Sequence, residues 1–356
     1  MTVAWIGNRD AQVPSAIEHV AALLVQSRCP VITVDADADT ARAALALARR
    51  AGAVCDHLTD GLAHEVTLFT GTGGVFLSPG EALRRADLVL VAGALPAAAG
   101  AFLETLAQTS PDLGGERPRR MFALHADGLP DGIAKVTQAI SVKDASLPVA
   151  VAVFRAAVAG RGTGVEIAGA DAFAAAAAGA KFIAVICSGH GCDTLTLEML
   201  QGLVGDFNAN TRASMLVWPA SENGWGSTLV STWNAGFPLP VSFLGGEAKH
   251  DPARFNARRL IESGEVDVWL HAGPLPEGVT GPAERIVISN AASAVGGASV
   301  TIAVAEPGEG HDAVMFSARA GTFLARAAGS KDNLPSAAEI LRLIAGKLPE
   351  TEAVPC

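Results

Sequence analysis

Apolar residues fall into short blocks of two kinds along this chain. Ile17, Val20, Ala21 and Leu24 recur three and four positions apart, which predicts a helix over residues 17–26. Short, mostly apolar runs at 30–34, 87–92, 120–124, 181–186, 215–218, 266–270, 285–289 and 300–305 read as strands, that at 87–92 as a buried one, and another strand begins near Val54. Between them lie helical stretches at 40–51, 193–203, 255–263 and 336–347, and one that opens at Ser78-Pro79. His250-Asp251-Pro252 reads as a helix-leading turn, with Asp251 as the cap and Pro252 in the first helical position. Strands spaced by helices predict a doubly wound α/β chain with largely parallel sheets in two lobes. The glycine-rich stretch 159–169 is the expected junction.

Composition narrows the partners. The chain has 356 residues, half of them hydrophobic, and a net charge of −10, so an extended core is possible while nucleic acid and anionic membrane are poor partners. No apolar run is long enough to span a membrane and no targeting segment is visible, so a cytoplasmic location is expected. The alanine tract 174–178 is explained by a plain helix. The odd number of cysteines (Cys29, Cys55, Cys187, Cys192 and Cys356) argues against a disulfide framework. Cys187 and Cys192, with His190 between them, could be drawn as a metal site. Two further ligands at suitable spacing are missing, and a strand-end cysteine and a helix-start cysteine account for the pair.

Other candidate chemistry meets similar alternatives. Ser188-Gly-His-Gly191 follows a strand and precedes a helix, where backbone amides can hold phosphate, but the three-glycine dinucleotide pattern is incomplete. Thr70-Gly-Thr-Gly-Gly74 lacks the Lys-Ser/Thr ending of a phosphate loop, and a tight turn explains it. His57 and His64 flank a segment carrying Asp56, Asp60 and Glu65, which suits acid–base or metal chemistry less well than a hydrogen-bonded loop. The remaining histidines (His19, His125, His250, His271 and His311) are scattered. Asp35/Asp37 and Glu306/Glu309 fall in loops and read as solvated. No serine sits in a nucleophile elbow. Trp218 to Leu270 stands out by holding four of the five tryptophans between Gly and Pro turns, a composition suited to a shaped pocket or a large interface.

Within that segment, Ser231-Thr-Trp-Asn-Ala-Gly-Phe-Pro-Leu-Pro-Val-Ser-Phe, then His250-Asp-Pro-Ala-Arg-Phe, then Glu265-Val-Asp-Val-Trp-Leu resembles the B subunit of formylmethanofuran dehydrogenases. Residues 46–56 (ALARRAGAVCD), 86–96 (ADLVLVAGALP) and 300–344 extend the resemblance over most of the chain. It implies a fold like the central domains of molybdopterin and tungstopterin oxidoreductases, with residues 1–57 plus 171–329 in one discontinuous lobe, 58–170 in an inserted lobe and 330–356 as a C-terminal helix and tail. The departures shape the functional expectation. No cysteine precedes Cys29, so the family's four-iron cluster is expected to be lost. The family's tungsten- or molybdenum-ligating cysteine maps to the 57–64 loop, near Gly61 and Leu62, where there is none; Cys55 lies too early.

Such a chain is similar to the B subunit of the bacterial formyltransferase/hydrolase complex. That complex, by the resemblance, converts formyl-tetrahydromethanopterin to formate through a formyl-methanofuran-type carrier in methylotrophic formaldehyde oxidation. The resemblance implies a non-catalytic structural role, with an amidohydrolase-like A subunit, a formyltransferase D subunit and a C subunit as partners. No residue is then expected to be catalytic, cofactor-binding or metal-ligating, and the 218–270 segment would line a remnant pocket or meet a partner. Two alternatives stay open: an active metallopterin enzyme using Asp60 or His64 as ligand, and a nucleotide-binding dehydrogenase built on 188–191.

Overall fold

A computed structural model describes residues 4–113, 118–276, 278–282, 284–330 and 333–349. Two compact units emerge: one of Met1–Leu58, Glu222–Phe316 and Phe323–Cys356, the other of Thr59–Ser221 with Ser317–Thr322.

The first unit is built on an eight-stranded sheet. Its strands run in the order Val241–Ser242, Val54–Asp56, Pro30–Val34, Val268–Ala272, Glu284–Ser289, Val300–Ala303, Ala4–Ile6 and Arg9–Ala11. The five strands from Val54–Asp56 to Val300–Ala303 are mutually parallel and the outer ones antiparallel. The central strands are buried along their whole length, as their unbroken apolar runs require. Helices Val13–Gln26, Ala38–Ala51 and Ala337–Lys347 contribute Val20, Leu24, Leu47, Ile340 and Ile344 to one core. Ser336 and Glu339 form a reciprocal capping box that starts the last helix. That helix therefore belongs to the first unit's core and is not a separate C-terminal element; residues 350–356, including Cys356, lie outside the described residues.

The second unit carries a six-stranded sheet ordered Arg212–Val217, Phe182–Cys187, Leu88–Ala92, Arg120–Leu124, Thr137–Val142 and Ile167–Ala168, parallel except for the last pair. The boundary expected at residue 170 therefore moves to 221. Strand Phe182–Cys187 pairs in register with Leu88–Ala92, and the Asp87 carboxylate accepts the amides of Lys181 (2.9 Å) and Phe182 (2.9 Å), fixing the two strand starts side by side. The glycine-rich 159–169 stretch is no junction. It returns the chain from helix Leu147–Val158 to the edge strand Ile167–Ala168, inside this unit.

Helices without a clear periodic signal appear at Asp60–Gly71, Gly100–Gln108, Leu147–Val158 and Glu222–Ala235. The last contradicts the turn-rich reading of the tryptophan segment. Its buried face is Gly224, Gly226, Ser227, Thr228, Val230 and Ser231, small enough for close packing, and a Cβ on Gly226 would lie 2.9 Å from Phe316 Cβ. Thr228 and Asn234 return their side-chain donors to the helix's own carbonyls of Gly224 (3.0 Å) and Val230 (2.7 Å), so polar residues do not interrupt it. Asp251 accepts the amides of Ala253 and Arg254 in a turn, but the helix cap is Asn256, five residues later, so Pro252 precedes helix Ala257–Glu262 instead of opening it.

Candidate functional site

In an open α/β sheet, ligands bind in the crevice at the carboxyl ends of the strands where the winding direction reverses. In the first unit that point lies between Pro30–Val34 and Val268–Ala272. The chain leaves the first toward Val54–Asp56 and the second toward Glu284–Ser289. The opening there is about 90 Å³, bordered by Asp35, Ala36, Gly273, Pro274 and Asn290. A small-molecule site usually needs roughly 300–1,000 Å³.

A buried relay lies between the same two strands. His271 Nε2 is 2.8 Å from the Pro274 carbonyl, which only accepts, so this nitrogen carries the proton and Nδ1 is an acceptor. Thr33 Oγ1, 2.8 Å from Nδ1, then donates to it and accepts from Trp269 Nε1 at 2.8 Å. Burial pushes His271 down to about 4, keeping it neutral. Thr33→Val leaves an indole N–H and an imidazole nitrogen unpaired and is expected to cost about 2–3 kcal/mol. Denaturant titration checks this, and a loss below ~0.5 kcal/mol would contradict the relay.

In the second unit the winding reverses between Leu88–Ala92 and Phe182–Cys187. This crevice is packed shut. A Cβ on Gly191 would lie 2.4 Å from Ala94 N, and Cys192, buried beside it, places Sγ 3.7 Å from the Ala92 carbonyl. The loop amides proposed for phosphate are already engaged: Gly191 N and Cys192 N donate to the Ser188 carbonyl, and His190 N to Ser188 Oγ. The 70–74 glycines end helix Asp60–Gly71, with Thr72 N donating to the Leu68 carbonyl and Gln201 Nε2 to the Gly73 carbonyl. Neither glycine motif is an open phosphate cradle. A 460 Å³ cavity elsewhere in this unit is lined by Phe154, Phe173, Phe207 and several alanines, with Ile183 and Thr211 at the amino ends of two strands, away from the carboxyl ends.

The 57–64 segment is no continuous loop. His57 is buried at the end of strand Val54–Asp56, with Nδ1 4.0 Å from Asp56 Oδ1, and Asp60 is already the first residue of the next helix. Asp56 Oδ2 accepts the Ala257 amide at 2.7 Å, and burial pushes the acid up to about 7. His64 Nδ1 lies 3.0 Å from Thr194 Oγ1, and Asp60 is exposed at the helix start. Four residues after Gly61, on the same helical face, stands Glu65. It is fully buried; its Oε1 accepts from Gly189 N (2.8 Å), Ala220 N (3.0 Å) and Ser188 Oγ (3.3 Å), and burial raises it to about 8. Sequence reading placed Glu65 only as a loop acid, although its four-residue spacing from Gly61 was a legible sign of a shared face.

Gly61 packs so closely on Gly189 that a Cβ would lie 2.7 Å from the Gly189 carbonyl carbon, and Leu62 is fully buried in the core. Burial raises the thiols of Cys55 and Cys187 far above the ordinary range and that of Cys192 to about 12. No group of three His, Cys, Asp or Glu side chains among the described residues could hold a metal ion. Cys29 is half-buried, and burial followed by Asp267 raises its thiol as well.

Asp37, read as solvated, is buried and caps helix Ala38–Ala51 by accepting from Asp39 N and Thr40 Oγ1. Glu306 accepts from Asn290 Nδ2 at 2.8 Å. Trp218 stacks on Phe102 in the second unit, Trp269 donates to Thr33 in the first, and Trp233 is two-thirds exposed.

No protein-family model matches the chain. It is 28% identical over 347 residues, 94% of both chains, to the Fhc B subunit of the formyltransferase/hydrolase complex from Methylorubrum extorquens. Its fold superposes with a TM-score of 0.86 at 26% identity on a chain in the crystal structure of that FhcABCD complex bound to methylofuran, covering 97% of this chain and 98% of the other. The chain is a relative of the Fhc B subunit. A shorter match, 32% identical over 74 residues, reaches the B subunit of a tungsten-containing formylmethanofuran dehydrogenase from Methanocaldococcus jannaschii. The resemblance carried by the Trp-Gly-Phe-Pro series thus extends over nearly the full length of the Fhc B subunit, and the α/β architecture agrees with it. No helix among the described residues is long and apolar enough to cross a membrane.

Proposed function

We propose that this chain is a structural, non-catalytic subunit of a cytoplasmic formyltransferase/hydrolase complex acting in one-carbon metabolism on a methylofuran-type carrier. The observation that carries this reading is the end-to-end correspondence with one member of the FhcABCD assembly, at 94% coverage of both sequences. The packing of Gly61 on Gly189, at the position where the dehydrogenase family would hold its metal, supports the absence of a redox role. The exposed Trp233 and Phe237 are the part of the tryptophan-rich segment open to a partner subunit.

Co-expression with the A, C and D subunits from the same source, followed by affinity capture and size-exclusion chromatography, tests this. The chain is expected to co-elute in stoichiometric amount, and formyl-transfer and hydrolase activity should reside in the other subunits. Elution as a free monomer in the presence of all three would overturn the subunit reading. Stoichiometric tungsten or molybdenum on the purified chain would overturn the non-redox part.

A further inference from the structure

The donors around Glu65 are unusual in origin. Gly189 N and Ser188 Oγ come from the residues just past strand Phe182–Cys187, and Ala220 N comes from just past the neighbouring strand Arg212–Val217. These are the carboxyl ends of adjacent parallel strands, where open α/β sheets present amides to external anions and oxygen ligands. Gly189 approaches so closely that a Cβ there would be 3.0 Å from Glu65 Cγ and 2.0 Å from the Gly61 carbonyl oxygen, so the cradle is open only on the side the carboxyl fills. Ser188 and Glu65 are both fully buried. Glu65 Oε2, also buried, has no hydrogen-bond partner among the described residues. A fully buried acid on a helix is costly unless it satisfies groups that would otherwise be orphaned.

We propose that the carboxyl of Glu65 is a built-in ligand. It occupies a three-donor oxygen cradle (Gly189 N–H, Ala220 N–H and Ser188 O–H) that recognises a small carboxylate once the side chain's own group is taken away. The unit thereby carries in its own sequence the oxygen that an α/β fold commonly borrows from a bound molecule. A glutamine amide places an acceptor oxygen where the carboxyl oxygen sits, while a leucine of similar volume has none.

Chemical rescue tests this on the full chain. Acetate is the fragment that Glu65→Ala deletes. The variant is expected to melt about 4–8 °C below the wild type. At pH 5, where a sizeable share of it is the neutral acid, acetate at tens of millimolar should raise its Tm roughly 2 °C or more beyond sodium chloride of equal ionic strength, while leaving the wild type unmoved. Acetate acting no better than chloride on the variant, or equally on both proteins, overturns the proposal. Should Glu65→Ala fail to fold, Glu65→Gln and Glu65→Leu decide. Gln melting close to the wild type at pH 7, with Leu several degrees lower, is the expected result. Leu matching or exceeding Gln would show that the site needs volume and not an oxygen, and would sink the idea.

Discussion

Gly189→Ala is expected to destabilise the second unit and lower its melting temperature by several degrees. The new Cβ would sit 2.0 Å from the Gly61 carbonyl oxygen and 2.8 Å from its carbonyl carbon, both backbone atoms that cannot rotate away. Relief requires helix Asp60–Gly71 to shift, and with it the core side chains Leu62, Val66 and Leu68. Overpacking against fixed backbone costs about 1–3 kcal/mol and occasionally more, a sizeable share of the roughly 5–15 kcal/mol that holds a domain folded. Gly205→Ala, on helix Thr194–Phe207 with nothing within 4 Å of the added Cβ, is the matched control and should stabilise slightly. Circular dichroism melts with limited proteolysis read both. Equal melting of the Gly189→Ala protein and the wild type would refute the close approach. The same contact bears on function: Gly61→Cys, which returns a thiol near the family's ligand position, meets the Gly189 carbonyl at 2.7 Å and Ala220 Cβ at 2.8 Å. It is expected to destabilise the chain without creating tungsten or molybdenum binding.

Stability should fall as pH rises through the neutral range. Burial raises Asp56 to about 7 and Glu65 to about 8, outweighing the amides that each accepts. An unfolded carboxyl titrates near 4, so between roughly pH 4 and 8 the native state holds more protons than the unfolded chain. The stability these groups contribute is full below about pH 4 and is lost as pH passes their folded values, by on the order of 4–5 kcal/mol per group. His271 works in the opposite direction. Its folded value of about 4 lies below the unfolded one, so its contribution is full above about 6.5 and lost as pH falls toward 4. In the first unit Asp56 and His271 offset each other between about pH 4 and 6.5, so its stability is nearly level there and falls above, while the second, with Glu65, declines steadily toward pH 8. Urea titrations from pH 5 to 9 measure this, and Glu65→Gln should remove the second unit's slope. A midpoint that rises between pH 6.5 and 8.5 would contradict the burial of these acids.

Much of the fold was legible because its signals were local. Continuous apolar runs marked Pro30–Val34 and Arg120–Leu124 to the residue, and Ser78, Asp193 and Ser336 each accept the backbone amide expected of a helix cap. What escaped was non-local. Helix Glu222–Ala235 hides its small buried face among Gly, Ser and Thr, residues whose helix propensity is poor and whose packing reason, the approach of Phe316, lies ninety positions downstream of Gly226. The boundary at 221 depended on Asp87 reaching the amides of Lys181 and Phe182, a pairing no period announces. Gly61 was noticed for the cysteine it is not; its partner Gly189 and the acid between their elements became visible only with the chain folded.

Asp267 shows the same habit in the first unit as Asp87 in the second: it accepts from Ser27 Oγ and from the amides of Arg28 (2.7 Å) and Cys29 (3.1 Å), clamping the start of Val268–Ala272 beside that of Pro30–Val34. The Ser27–Asp267 bond spans 240 positions of sequence, and the whole second unit is contained in that interval apart from six residues. On a ribosome adding about 5–20 residues each second, strand Pro30–Val34 waits on the order of 12–50 s for its neighbour. The unit encoded first is thus completed last. The contiguous second unit can close while the first is still a half-built sheet with an open edge, making the N-terminal sixty residues the part of the nascent chain most in need of shielding.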